Sequence, residues 1–245
     1  MSRKVVVIGS GPGAYEMMTM QAAERLNECD TIVGYPVYVD LIKEHFPGKK
    51  FLTTPMRQET ERCLMALRQA DQGSCVAVIC SGDSGVYGMA GLIYELSVDF
   101  PEVEIEVVAG ITAASSGAAC LGAPLMHDFA VISLSDLMTP WEKIEKRLLA
   151  AAEGDFGIVL YNPASHRRAD YLQRACDVLG RQLPETIVCG TVENIGREGT
   201  KVSYCTLGEL RNQQVNMFTT VFIGNTATKM VQGKMVTPRG YQVEK

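Results

Sequence analysis

Three short strand-like runs in the first half of the chain, two apolar and one with alternating glutamates, each end directly on a loop of glycines and hydroxyl residues. Lys4–Ile8 runs into Gly9-Ser10-Gly11-Pro12-Gly13, Val76–Cys80 into Ser81-Gly82-Asp83-Ser84-Gly85, and Val103–Val108 into Ala109-Gly110-Ile111-Thr112-Ala113. β-branched runs of this length read as buried strands. Between them lie stretches with apolar residues at helical spacing: Glu16–Cys29, Arg57–Gln72 (Cys63, Leu64, Leu67, Ala70) and Val86–Leu96. A further strand is expected at Asp30–Gly34. Strand–helix alternation requires a parallel sheet with helices on its faces. Ligands of such sheets bind at the carboxyl ends of the strands, where these loops fall.

The loops themselves exclude two common ligands. Gly9–Gly13 lacks the third glycine of a dinucleotide fingerprint, alanine stands at position 14, and the second strand ends in Val33-Gly34-Tyr35 without the ribose-binding acid. No Gly-Lys-Ser/Thr follows that first loop, so it is not a phosphate loop. The first loop reads either as a ligand cradle or as a tight strand-to-helix turn. Asp83 can accept from a hydroxyl or ammonium, or face a sulfonium. It can equally cap a helix from Val86. Thr112 can cap the next helix or offer its hydroxyl to a ligand.

Around Gly122-Ala123-Pro124 the pattern changes. Residues 1–112 read as an N-terminal α/β domain, 113–128 as an interdomain segment and 129–245 as a C-terminal α/β domain. Strands are expected at Phe129–Ser133, Phe156–Leu160, Ile187–Val192, Val202–Cys205 and Thr220–Gly224. The Gly/Arg turn Ile195–Gly199 between two of them favours an antiparallel or mixed second sheet. Helix starts are marked by Thr139-Pro140-Trp141-Glu142, with threonine as cap and proline at the first helical position, and more weakly by Thr206–Glu209.

Charge and cysteine usage narrow the class of function. A net charge of −5 over 245 residues opposes a nucleic-acid binder, which needs a basic excess. The eight cysteines form no C-x-x-C pair, so no metal site is expected, and they read as buried free thiols of a reducing compartment. Nothing near Arg3-Lys4 reads as a signal peptide, and no apolar run reaches membrane-spanning length. The chain therefore reads as cytoplasmic, with no membrane contact, internal repeat or tail.

Gly9–Gly13, Ser81–Gly85 and Gly110–Ala113, in this order and spacing, resemble the tetrapyrrole methylases. Gly122-Ala123-Pro124-Leu125-Met126-His127-Asp128-Phe129, Ile132–Leu137 with Thr139-Pro140-Trp141, Tyr161-Asn162-Pro163 and Thr237–Tyr241 resemble the precorrin-3B (cobalt-precorrin-3) C(17)-methyltransferase branch. Met17–Met20 is similar to its anaerobic, cobalt-early members. The resemblance spans essentially the whole chain. It implies two α/β domains, a parallel N-terminal and a mixed C-terminal sheet, with the active site in the cleft, and a homodimer. It implies S-adenosyl-L-methionine as methyl donor, S-adenosyl-L-homocysteine as product, and methylation of ring carbon 17 of a precorrin or cobalt-precorrin with ring contraction. Matched motif by motif, the cofactor contacts are Pro12, Ser81, Gly82, Asp83, Val86, Thr112, Ala113 and Asn162. The acid/base aspartate and lysine of the uroporphyrinogen branch have no counterpart, since Tyr35 and Met56 stand in their places.

Methyl transfer from a sulfonium needs alignment and exclusion of water more than a strong acid or base. Ring contraction does require proton movement. His127 and Asp128 are the catalytic candidates, with a hydrogen-bonded tether as the other reading of His127. Ser133, Ser135 and Asp136 are candidates for holding the substrate, or turn formers. Arginines should meet the polyacid substrate, with Arg167 and Arg168 beside His166 leading Arg57, Arg197 and Arg239. Trp141 reads as core packing. A sibling methylase acting at another ring carbon is the nearest alternative, and a nicotinamide-dependent reductase the remoter one.

Overall fold

In the computed structural model, residues 3–165 and 168–242 are described. They divide into two compact units, Met1–Ala113 and Ala114–Lys245. The first unit runs β1 (Lys4–Gly9), α1 (Met20–Glu28), β2 (Thr31–Gly34), α2 (Pro36–Ile42), β3 (Lys50–Thr53), α3 (Glu59–Asp71), β4 (Cys75–Cys80), α4 (Ala90–Ser97) and β5 (Glu104–Val108). Its five strands are all parallel, in the order β3-β2-β4-β1-β5. Alternation along each strand supplies both faces. Val5, Val7, Val33, Val76 and Val78 pack with Cys63, Leu67 and Ile93 of α3 and α4. Val6, Ile8, Ile32, Ala77 and Ile79 pack with Leu26, Ile42 and Phe46 on the opposite side.

Two helices are shorter than their periodicity suggests. The first breaks because Met18 and Thr19 are extended, and the Thr19 hydroxyl accepts from the Ala22 N–H to begin α1 at Met20. The other begins at Ala90 rather than Val86. Tyr87 has φ 56°, and a side chain at Gly88 would sit 2.3 Å from the Ser84 carbonyl oxygen. Residues 82–89 therefore form a loop, and Asp83 does not cap a helix beginning at Val86.

At the sheet edge Glu106 on β5 is bound by the Lys4 ammonium (2.8 Å) and by Arg25 Nε (2.8 Å). Its hydrogen bond to Lys4, then that to Arg25, hold its carboxyl below the usual carboxylate range. A depressed carboxyl stabilises the fold above its unfolded pKa and loses that contribution as pH falls through the folded value. Glu106→Gln should therefore destabilise the protein at neutral pH. The gap to wild type should close in denaturant titrations repeated at falling pH, and a gap independent of pH would refute the pairing.

The second unit holds α5 (Ala113–Leu121, entered from the first unit's last residue), β6 (Gly122–Ala123), β7 (Phe129–Ser133), α6 (Trp141–Glu153), β8 (Gly157–Tyr161), α7 (Tyr171–Leu179), β9 (Val188–Glu193), β10 (Lys201–Thr206), α8 (Leu207–Leu210), β11 (Thr219–Ile223), β12 (Lys229–Val231) and β13 (Lys234–Val236). The main sheet, β10-β9-β11-β8-β7, is mixed: β7 and β8 are parallel, the other pairs antiparallel. One face packs on α6 and α7 through Ile144, Leu148, Leu172 and Leu179. The other face admits α5 closely, since side chains at Gly117 and Gly190 would collide with Phe222 and Leu121. Thr139 is not the cap of α6. Pro140, with ψ 145°, occupies that position without a side-chain bond, because its extended backbone leaves it outside the first turn. Thr206 and Glu209 form a complete capping box on α8. A small sheet, β12-β13-β6, has no counterpart in the sequence reading. No helix among the described residues is long and apolar enough to cross a membrane.

Candidate methyl-donor and substrate site

The three loops leave the carboxyl ends of β4, β1 and β5, which are adjacent in the sheet. They are fastened to one another by backbone. Gly11 N–H donates to Gly82 O (3.0 Å) and Gly82 N–H returns to Gly11 O (2.7 Å), an isolated antiparallel bridge just beyond the parallel strands. Both glycines have positive φ, 78° and 72°, a conformation that side chains disfavour. A Cβ on Gly110 would stand 2.1 Å from Gly82 O, and one on Gly9 would stand 2.6 Å from Gly110 N. These glycines are therefore required first by the neighbouring loops, whatever ligand the loops hold.

Asp83 is the side-chain latch of this arrangement. Its Oδ1 accepts from Gly85 N–H (2.8 Å) and Val86 N–H (3.0 Å), and its Oδ2 from Gly110 N–H (2.9 Å). The carboxylate turns its own loop and ties it to the third. Ser84 adds a second tie, donating to Val108 O at 2.9 Å. Pro12 is buried, Ser81, Thr112 and Ala113 are half-buried, and Val86 is exposed at the rim.

In the second unit, the end of β8 carries Tyr161 and Asn162. Tyr161 Oη accepts from Ala114 N–H in the first turn of α5 (2.7 Å). A helix start has N–H groups with no partner within the helix, and this hydroxyl serves one of them. Tyr161→Phe should cost about 1 kcal/mol in urea unfolding, and an unchanged midpoint would show the bond to be idle. Asn162 adopts φ 53°, which asparagine tolerates, and its Nδ2 donates to Ser133 Oγ (3.0 Å). Ser133 Oγ also accepts from Ser135 N–H (3.2 Å). The expected cofactor residue Asn162 and the expected substrate residues Ser133 and Ser135 thus form one network.

A second cluster surrounds Asp136. Tyr171 donates its hydroxyl to Asp136 Oδ2 (2.6 Å), which raises the phenol's pKa, and Arg168 Nη1 lies 3.7 Å from Oδ1. Arg168 Nε donates to Ser165 Oγ (3.1 Å). Arg174 stacks on Trp141 at 3.9 Å, with Tyr171 edge-on to the same indole at 4.9 Å. Trp141 therefore packs on the core and also carries a cation. His166 and Arg167 lie outside the described residues.

His127 and Asp128 are exposed. His127 Nε2 lies 3.0 Å from Pro238 O, Thr237 Oγ1 donates to Pro124 O (2.7 Å), and Arg239 donates to Met126 O (2.9 Å). The Thr237–Arg239 segment thus holds the 124–127 segment along its length. Asp128 contributes its backbone carbonyl to Gly157 N–H (3.0 Å). Arg197 stacks on Phe218, and Arg57 has φ 67° in the turn that precedes α3.

Arg62 is a residue the sequence reading passed over. It is 3% exposed, donates to Thr54 O (3.1 Å) and Pro55 O (3.0 Å), and faces the Tyr35 ring at 5.9 Å. It shapes the chain just beyond β2 and β3. The signal was an arginine one turn before Ala66 on the buried stripe of α3. No group of three or more histidine, cysteine or acidic side chains suited to a metal occurs among the described residues.

Residues 4–211 match the model of the tetrapyrrole (corrin/porphyrin) methylases. A probable cobalt-factor III C(17)-methyltransferase of Salmonella typhimurium is 46% identical over 96% of this chain and 98% of its own length. The cobalt-factor III methyltransferase of Priestia megaterium is 45% identical over 99% of this chain. The chain spans only 46% of that relative, about half its length. The crystal structure of the methyltransferase CobJ superposes with a TM-score of 0.87 at 35% identity, covering 96% of this chain and 99% of that one. The sheet order, the three locked loops and these full-length matches agree, and the chain belongs to the tetrapyrrole (corrin/porphyrin) methylase family.

Proposed function

We propose that this chain methylates ring carbon 17 of a cobalt-precorrin-3-type macrocycle, with ring contraction, using S-adenosyl-L-methionine. The observation that carries the reading is the set of three mutually bonded loops at the carboxyl ends of β4, β1 and β5, in a chain whose relatives are named C(17)-methyltransferases. The relatives named for cobalt-factor III, at 45–46% identity, favour a ring that already holds cobalt.

The loops suit the donor's chemistry. Residues 9–13, 81–88 and 109–113 contain no lysine or arginine and one acid, Asp83. Such a lining favours a cationic sulfonium and adenosine hydroxyls over a pyrophosphate. When bound, S-adenosyl-L-methionine supplies an electrophilic methyl group. The chain's part is to orient: Asp83 fixes the loop geometry, Pro12, Ser81, Gly82, Val86, Thr112 and Ala113 present the contact surface, and in the second unit Asn162 is held by Ser133, which also binds Ser135. Arg168 and Arg167 meet substrate carboxylates, with Asp136 holding Arg168 in place.

His127 is the proton carrier in this reading. A carbonyl only accepts, so the bond to Pro238 O puts the proton on Nε2 and leaves Nδ1 basic in the neutral ring. Asp128, its neighbour, is the alternative base. The eight free thiols suit a reducing compartment and hence the cytoplasm, and the family resemblance implies a homodimer.

Anaerobic incubation with cobalt-loaded and metal-free trimethylated rings, followed by mass spectrometry and product NMR, tests the reading. A fourth methyl at carbon 17, formed faster on the cobalt ring, is expected. Methylation at a different carbon would replace this function with a sibling's.

A further inference from the structure

Away from the loops, at the amino-terminal ends of the strands, two cysteines meet. Cys29 closes α1 and Cys75 opens β4, and their Sγ atoms lie 3.1 Å apart across a 46-residue separation. The backbones on either side are already clamped. Asp30 N–H donates to Cys75 O (3.0 Å), Cys75 N–H donates to the Asp30 carboxylate (3.2 Å), and Lys49 Nζ donates to Cys29 O (2.8 Å). Both cysteines are free, and the other six show no thiol–thiol contact of this kind among the described residues.

We propose that Cys29 and Cys75 form a peroxide-responsive disulfide site, which staples α1 to β4 when oxidised. A disulfide needs the sulfurs to close by only about 1 Å, to ~2.05 Å. The two thiols have unequal parts. Cys75 is half-buried, and its thiol is shifted down by the hydrogen bond with Cys29, with Lys4 adding to the effect. Cys29 is fully buried and shifted up by the same bond and by burial. Cys75, whose side chain is the more accessible of the two, attacks once it is deprotonated, and the buried Cys29 is the resolving thiol.

The chemistry balances with hydrogen peroxide as oxidant. The Cys75 thiolate attacks one peroxide oxygen, the O–O bond breaks, and hydroxide leaves and takes up the thiol's former proton as water. Cys75 is then a sulfenic acid. Cys29 Sγ attacks the Cys75 sulfur, the S–O bond breaks, the S–S bond forms, and the Cys29 thiol proton departs with the oxygen as a second water. The thiols lose two electrons and the peroxide gains them. Because the pair lies at the strand ends opposite the three loops, oxidation rigidifies the sheet without touching the donor surface.

The full chain is treated with hydrogen peroxide, alkylated under denaturing conditions and mapped by mass spectrometry, with thiols titrated before and after. The expected result is a cross-linked peptide pair holding Cys29 and Cys75, reversed by dithiothreitol, and a Tm raised by roughly 5–10 °C. Cys75→Ser should abolish the cross-link. Wild-type mapping decides the matter even if Cys29→Ser fails to fold. Oxidation of Cys75 to sulfinic acid with Cys29 still free, a cross-link to any other cysteine, or a Cys29–Cys75 bond that leaves Tm unchanged would each overturn the proposal.

Discussion

Replacing Gly110 with alanine should destabilise the protein by about 3 kcal/mol, near the upper end of overpacking costs, and abolish stabilisation by S-adenosyl-L-homocysteine. The new methyl would meet Gly82 O at 2.1 Å and Gly9 C and O at 2.6 Å. All of these are backbone atoms, so no side chain can swing aside, and at least one loop must be displaced. Gly91→Ala is the matched control. Nothing lies within 4 Å of its Cβ position, and the site is an exposed turn of α4. Helix propensity there favours alanine by about 0.5–1 kcal/mol, so this variant should be neutral or more stable. Urea unfolding with and without S-adenosyl-L-homocysteine reads both effects. Equal stabilities for the two variants would mean that the loops are not locked as described.

Asp83→Ala should have the second large effect, and for a different reason. It removes the acceptor of three backbone N–H groups, two in its own loop and one on Gly110. Hydrogen bonds to a charged group contribute about 1.5–3 kcal/mol each when isolated, and water can replace part of these at the exposed pair. A loss of about 2–3 kcal/mol is therefore expected, with donor affinity falling by about two orders of magnitude as the loops separate. Asp83→Asn discriminates a latch from a direct charge contact. Its amide offers one acceptor oxygen, so it can serve Gly85 and Val86 or Gly110 but not both sides. An intermediate stability with intermediate affinity fits the latch. Full stability with lost affinity would instead make Asp83 a direct partner of the donor's charge.

Much of the first unit was legible because each strand combines a β-branched run with an abrupt glycine loop. Val5–Ile8 and Val76–Ile79 serve two helical layers at once, which is why they read as continuous apolar runs. The β9–β10 hairpin was legible from its turn chemistry. β3 was not, because Lys50–Thr53 is a short edge strand without full burial. The β12–β13 hairpin was missed although a signal existed. Gln232 and Gly233 both take positive φ, 48° and 74°, the pattern of a two-residue hairpin turn, between Lys229-Met230-Val231 and Lys234-Met235-Val236.

At the site, residue type was legible and its duty was not. A sequence shows that positions 9, 82 and 110 are glycine. It does not show whether a ligand or a neighbouring loop claims the missing side chain, because loops 70 residues apart meet only in three dimensions. Asp83 and His127 illustrate the same limit. Their partners, Gly110 N–H and Pro238 O, are 27 and 111 residues away. Arg62 was hidden by its helix, where one cation among apolar neighbours does not disturb the periodicity.

A crystal structure of the chain with S-adenosyl-L-homocysteine tests the central claim most directly. Contact of the ligand with the turns at Gly11–Pro12, Ser81–Val86 and Thr112–Ala113 together is the expected result. Density for the ligand on any surface that leaves these three turns untouched would contradict it.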